Sequence, residues 1–143
     1  MIKKSTKQSE PHMTKTIHSM IRVLDLNRSI HFYTQALDLE LADQFEFETF
    51  TLTYLRDPKS GFEVELTLNH GRETPYVHGD AYGHLAVCVE NIDEVHQKLV
   101  DLALSPTPVK SMQHNNKTMA TFFFLTDPDG YKIEFLQKYG RFQ

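Results

Sequence analysis

"DPDGYKIEF", residues 127–135, decides the fold. Asp-Pro followed by Asp-Gly is turn chemistry: proline presets φ and glycine accepts positive φ. Beyond the turn, Lys132, Glu134 and Leu136 alternate with Ile133 and Phe135, the period of a strand with one apolar face. Taken alone, Glu134 reads as a residue on the wet side of an antiparallel sheet. It does not stand alone. "YLRDPKSGFEVEL" (54–66) is echoed by "FLTDPDGYKIEF" (124–135). Both give an aromatic, Leu, Asp-Pro, a Gly turn, an aromatic, and a strand carrying Glu between apolar neighbours. The first copy has one extra turn residue, and Glu65 is the counterpart of Glu134.

The echo extends upstream. "IHSMIRVLDLNRSIHFYTQAL" (17–37) parallels "GHLAVCVENIDEVHQKLVDL" (83–102). Each has a His opening an apolar strand, then a turn, then a helical stretch. Leu26, Ile30, Tyr33 and Leu37 share one helical face, as do Ile92, Val95, Leu99 and Leu102. Asn27 and Asn91 are the expected N-caps. Each half therefore reads strand, helix and three strands. The strands are expected near 16–23, 39–46, 49–56 and 62–68, and again near 83–89, 107–110, 118–125 and 131–136. The fold class is α+β, two βαβββ modules in tandem. The organisation is a loose tail over 1–14, a first module over 15–68, a linker over 69–82, a second module over 83–137 and a C-terminal tail over 138–143. "SMQHNNK" (111–117) reads as a polar loop. A βαβββ half leaves one sheet face without a helix, which two halves can enclose within a chain or between chains.

Composition narrows the function. The 143-residue chain has net charge −4 with neutral histidines, so no broad basic field draws nucleic acid or anionic lipid. No apolar run is long enough to span a bilayer, and the polar start "MIKKSTKQSEPHM" lacks the apolar core of a signal peptide. Cys88 is the only cysteine, which excludes an intrachain disulfide and fits a reducing cytoplasm. Its expected role is a small buried core thiol.

Strand parity places His18, Met20 and Arg22 on one face, with Glu63, Glu65, Thr67 and Asn69. In the second half His84, Ala86 and Cys88 go with Lys132, Glu134 and Leu136. The helices are expected to cover the opposite, Ile/Val/Phe faces. His18, Glu65, His84 and Glu134 then form a candidate metal set of two imidazoles and two carboxylates. Such mixed N/O donors suit Ni, Co, Mn, Fe or Zn, with two positions open for water or substrate. A lone His or Glu is usually structural; recurrence in register across a duplication points to a site. The other histidines read as ordinary: His31 and His96 in helices, His70, His78 and His114 in loops, His12 in the tail.

The stretches "IHSMIRVLDLNRSIHFYTQALDLEL", "VELTLNHG", "GDAYGHLAVCVENIDE" and "DPDGYKIEFLQ" closely resemble glyoxalase I, the lactoylglutathione lyase of the vicinal oxygen chelate superfamily. The resemblance covers about residues 16–137. It implies one divalent metal per site held by His18, Glu65, His84 and Glu134, and a homodimer whose sites take one pair of ligands from each subunit. It implies that Arg22 and Asn69 grip the γ-glutamyl end of glutathione, the co-substrate, since Arg can hold a carboxylate through two bonds. The chain's brevity favours Ni²⁺ by the same resemblance, with Co²⁺ or Zn²⁺ as alternatives. The loop near 110–117 departs from the family's glycine-bearing loop, so Lys110 or Lys117 stands as candidate partner for the glycyl carboxylate. The implied reaction isomerises the methylglyoxal–glutathione hemithioacetal to S-lactoylglutathione, with Glu134 as the base and Glu65 as its symmetric partner. Two rivals share the fold: another metalloenzyme of the superfamily (a dioxygenase or a thiol transferase) and a metal-free small-molecule binding protein. Dioxygenases and thiol transferases of this type use two His and one Glu, and the fourth donor here argues against them.

Overall fold

The computed structural model describes residues 11–143, so most of the tail expected over 1–14 lies outside the described residues. The elements run β1 (His18–Val23), α1 (Leu26–Leu37), β2 (Glu40–Glu46), β3 (Phe50–Arg56), β4 (Glu63–Asn69), β5 (His84–Val89), α2 (Ile92–Asp101), β6 (Lys110–His114), β7 (Lys117–Thr126) and β8 (Lys132–Gln137). They form two four-stranded sheets of identical topology, ordered β1-β4-β3-β2 and β5-β8-β7-β6. In each, the first strand pairs parallel with the last, His18 beside Glu63 and His84 beside Lys132. The remaining pairings are antiparallel. The parallel pairing is available because a helix and two strands intervene, long enough to bring the chain back.

The apolar faces bury as parity requires. Val23, Leu66, Ile133 and Phe135 are almost wholly removed from solvent, with Leu99 of α2 and Tyr33 of α1 packed on them. Phe123 stacks on Phe135 at 4.7 Å and 9°. Each such side chain contributes roughly 1.5–3 kcal/mol. The exposed pairs Lys98–Asp38 and Lys138–Glu90 contribute at most about 1 kcal/mol each, so the core and not the surface charge holds the halves.

Several local expectations are corrected. Helix α1 is capped by Asp25, whose side chain accepts from the Arg28 N–H, and not by Asn27; α2 is capped by Asn91. The buried face of α1 centres on Ser29, Phe32, Tyr33 and Ala36, with Leu26, Ile30 and Leu37 only partly buried at its margin. Leu102 lies past the end of α2 and is exposed. The segment read as a loop is a β-hairpin. β6 is an edge strand exposed throughout, so no apolar alternation marks it. Asn115 and Asn116 both take positive φ, 50° and 60°, the geometry that a two-residue hairpin turn needs. His114 therefore ends a strand. Cys88 is exposed, because it points away from the core, while Leu136 on that same face is buried.

The two Asp-Pro turns have diverged in role. Asp57 accepts from the Lys59 N–H and the Ser60 hydroxyl, both within its own turn. Burial pushes its carboxyl up, and those bonds outweigh burial and hold it below its ordinary value. The second turn reaches across to the first module. Asp127, buried, accepts from the Tyr33 hydroxyl at 2.7 Å and from the N–H groups of Asp129 and Tyr131. Asp129 accepts from the Leu24 N–H at 3.0 Å and the Ser29 hydroxyl at 3.3 Å, with the Arg28 guanidinium at 3.5 Å. The Tyr131 hydroxyl donates to the Arg22 carbonyl at 3.0 Å. His78 stacks on the Tyr131 ring and Tyr82 meets its edge, which ties the connection between the halves to the same turn.

Removing Asp129 strands a part-buried backbone N–H and a buried hydroxyl. Asp129→Ala is expected to lower unfolding free energy by about 2–4 kcal/mol, against about 1 kcal/mol for Asp57→Ala. Urea titrations of both check the ranking.

Burial raises the Asp127 carboxyl above its ordinary 3.8, and its hydrogen bonds only partly offset this. The folded chain thus keeps a proton that the unfolded chain releases, and this contribution to stability falls as pH rises from 3.8 through the raised value. Asp127→Asn lacks that titration. The wild-type advantage over the variant should shrink across this window in urea unfolding at stepped pH; a pH-independent difference would contradict the assignment.

Candidate functional site

Each sheet presents an open face opposite its helix. On the first, β1 supplies His18, Met20 and Arg22, β4 supplies Glu65, Thr67 and Asn69, and β3 supplies Tyr54, which pairs with Glu65. On the second, β5 supplies His84, Ala86 and Cys88, β8 supplies Glu134, and β7 supplies Phe124, which pairs with Glu134. The His and Glu residues sit on adjacent strands because the parallel pairing brings the first strand of each module beside its last.

The result is two matched pairs. His18 Nε2 lies 2.9 Å from Glu65 Oε2, with side-chain exposures of 35% and 12%. His84 Nε2 lies 3.4 Å from Glu134 Oε1, with exposures of 40% and 15%. The agreement between halves means the two environments are copies of one another. An aromatic edge closes each pair, Tyr54 at 5.9 Å from His18 and Phe124 at 5.4 Å from His84. The copies differ by one hydroxyl. Burial, then the charge of the neighbouring Glu65 carboxylate, raises the Tyr54 phenol above its ordinary value. The donor chemistry fits a divalent ion: each pair sets an imidazole nitrogen against a carboxylate oxygen on an open face. Yet among the described residues no three His, Cys, Asp or Glu gather at one point. The chain brings His18 to Glu65 and His84 to Glu134, and it does not bring the pairs together.

Arg22 is exposed on the open face, its backbone fixed by Tyr131. Asn69 donates from Nδ2 to the Tyr76 hydroxyl at 2.9 Å. Lys110, exposed, pairs with Phe122, which in turn pairs with Leu136, so it shares the open face of Glu134. Lys117, also exposed, pairs with His114 at the far end of β7. His70 is bound on both ring nitrogens, to the Thr51 hydroxyl and the Glu48 carbonyl, and so braces the β2–β3 turn. Sequence reasoning missed Tyr54 and Tyr76. The first was detectable, since it aligns with Phe124 in the repeat; the second lies in a loop with no periodicity.

Comparison with known proteins agrees with this architecture. The family model for the glyoxalase/bleomycin resistance protein/dioxygenase superfamily matches residues 15–135. The lactoylglutathione lyase of Haemophilus influenzae is 38% identical over 130 residues, covering 85% of this chain and 90% of that one. The trypanothione-dependent glyoxalase I of Leishmania major superposes with a TM-score of 0.70 at 34% identity, covering 87% of both chains. Maize glyoxalase I gives a TM-score of 0.77 at 27% identity, covering 88% of this chain and 45% of that longer one. The chain belongs to the glyoxalase/bleomycin resistance protein/dioxygenase superfamily. No helix among the described residues is long and apolar enough to cross a membrane.

If Tyr54 closes the first pair through its hydroxyl, Tyr54→Phe should make that pair resemble the second. Ultraviolet titration should then lose a tyrosine that ionises above its ordinary pH range, with unfolding free energy changed by about 1 kcal/mol or less.

Proposed function

We propose that this chain is a lactoylglutathione lyase that isomerises the methylglyoxal–glutathione hemithioacetal to S-lactoylglutathione. The carrying observation is the matched presentation of His18–Glu65 and His84–Glu134 on two open faces, in a chain whose relatives bear that activity in their names. His18, Glu65, His84 and Glu134 would hold one divalent ion. When bound, the ion supplies positive charge where negative charge develops on two vicinal oxygens. The mixed N/O donor set suits Ni²⁺, with Co²⁺ or Zn²⁺ as alternatives.

In the reaction Glu134 takes the proton from C1 and returns it to C2, while the hydroxyl proton on the C1 oxygen ends on the C2 oxygen. The carbon–sulfur bond stays intact, and a ketone with a thiohemiacetal becomes a thioester with an alcohol. Ile133 and Phe135, buried on the far face, hold the strand that aims Glu134. Glu65 is its symmetric partner. Arg22 grips the γ-glutamyl carboxylate and Asn69 lies beside it. Lys110, on the open face with Glu134, is the better placed of the two lysines for the glycyl carboxylate.

One protomer presents two donors per face, so a four-donor site needs a second copy. A C2 dimer would seat each first-half face on the partner's second-half face and cover Met20, Phe45 and Met112, now exposed at 38%, 51% and 47%. A glutathione substrate and a single cysteine fit a reducing cytoplasm.

Metal-stripped protein given Ni²⁺ is expected to form thioester, followed by its absorbance, and to form little with Zn²⁺. Equal rescue by zinc would overturn the metal assignment and leave the lyase intact. Glu134→Gln should lower kcat by about 10²-fold or more with metal content retained. Sharing of sites has its own test. His18→Ala and His84→Ala subunits are each inactive, but a mixed dimer holds one intact site. Mixing should restore about one quarter of wild-type activity for random pairing of subunits; no restoration would place each site within one chain.

A further inference from the structure

Asn69 ends β4 on the open face, two positions beyond Thr67, which pairs with Arg22. An asparagine amide offers donors on one side and an acceptor on the other, so its orientation decides what it can hold. Here Nδ2 donates to the Tyr76 hydroxyl at 2.9 Å, leaving Oδ1 to accept. Tyr76 is itself held. The Arg72 guanidinium lies over its ring, 4.1 Å from the centroid. Arg72 is in turn tied by Nε to the Thr74 carbonyl at 2.9 Å and by Nη2 to the Pro75 carbonyl at 3.1 Å. Gly71, at φ +80°, turns the chain back after β4. The loop from 70 to 76 is thus folded so that one hydroxyl meets one amide.

Arg22, a cationic donor, stands on the same face one strand over, opposite Thr67. A guanidinium next to an outward carbonyl oxygen complements an α-amino acid: carboxylate on the first, ammonium on the second. We propose that Tyr76 is a positioning residue that turns the Asn69 amide so that Oδ1 accepts from the ammonium group of the γ-glutamyl end. Tyr76 does not touch the reacting atoms. Its effect falls on recognition of the thiol, and it deepens the reading of Arg22 and Asn69 given above.

The test uses Tyr76→Phe, Asn69→Ala and the double variant. Tyr76→Phe keeps the ring under Arg72, so the loop is expected to stay folded. KM and kcat are measured with the glutathione hemithioacetal and with that of the glutathione analogue lacking the γ-glutamyl amino group. Calorimetry gives Kd for S-methylglutathione, which does not react. With glutathione, Tyr76→Phe should raise KM and Kd about 5–10-fold, as for loss of one hydrogen bond, with kcat within about twofold. It should add nothing in the Asn69→Ala background and have no effect on the deaminated substrate. An equal loss with the deaminated substrate, or an additive loss in the double variant, overturns the proposal. If Asn69→Ala is costly and Tyr76→Phe is silent, only the role of Tyr76 falls. If Asn69→Ala itself changes neither KM nor Kd, the grip assigned to Asn69 falls and the role of Tyr76 falls with it.

Discussion

The fold depends on the buried carboxylates of the second Asp-Pro turn. A carboxylate out of water must be hydrogen-bonded or paired, or it is a heavy liability. Asp127 and Asp129 meet this demand with partners on the other half of the chain: the Tyr33 hydroxyl, the Leu24 N–H, the Ser29 hydroxyl and the Arg28 guanidinium. Hydrophobic burial is broad and tolerates sliding; these bonds are directional and admit one placement. They also fix the strand behind Arg22, because the Tyr131 hydroxyl that follows in the same turn binds that residue's carbonyl. What aligns the modules therefore aligns a candidate substrate contact.

Alternation along the strands reports burial because each sheet is buried on one side only. A residue's neighbours then decide its exposure, and a one-residue slip in register would invert the whole face. That is why Ile133 and Phe135 could be assigned to the core and Glu134 to the open side, and why His18 came to lie beside Glu65. Sequence period fades where burial stops alternating. β6 is wet on both faces and is held by pairing with β7 alone, so its sequence shows no period and Asn115-Asn116 passes for loop. Leu136 and Cys88 share a face yet differ in exposure, since what lies over each is decided by neighbours on other strands. Tyr76 was illegible for a different reason: its partner Asn69 is reached by a loop whose path depends on one glycine and one stacked arginine.

The two halves keep the duplication in their backbones and lose it in selected side chains. The His–Glu pairs match in distance and exposure, and the aromatic beside each is conserved in place between the copies. Tyr54 and Phe124 differ by a hydroxyl, Arg22 corresponds to Cys88, and the first Asp-Pro turn bonds only to itself. The shared features are those a symmetric donor set needs. Of the differing ones, Tyr54 and Phe124 lie against the donor pairs, where two ends of an unsymmetrical substrate would have to be told apart.

The segment between β4 and β5 is stitched down at His78 and Tyr82, both seated on Tyr131. A tandem repeat of this kind invites arm exchange, in which two chains trade whole modules and reproduce every contact in a mixed body. Exchange needs a hinge that can swing out. Here the hinge is pinned to the very turn that locks the modules together, so opening it would break the aromatic stack and the carboxylate clamp in the same event. Exchange of modules is thereby opposed, and a chain that folds by itself keeps its own two halves together.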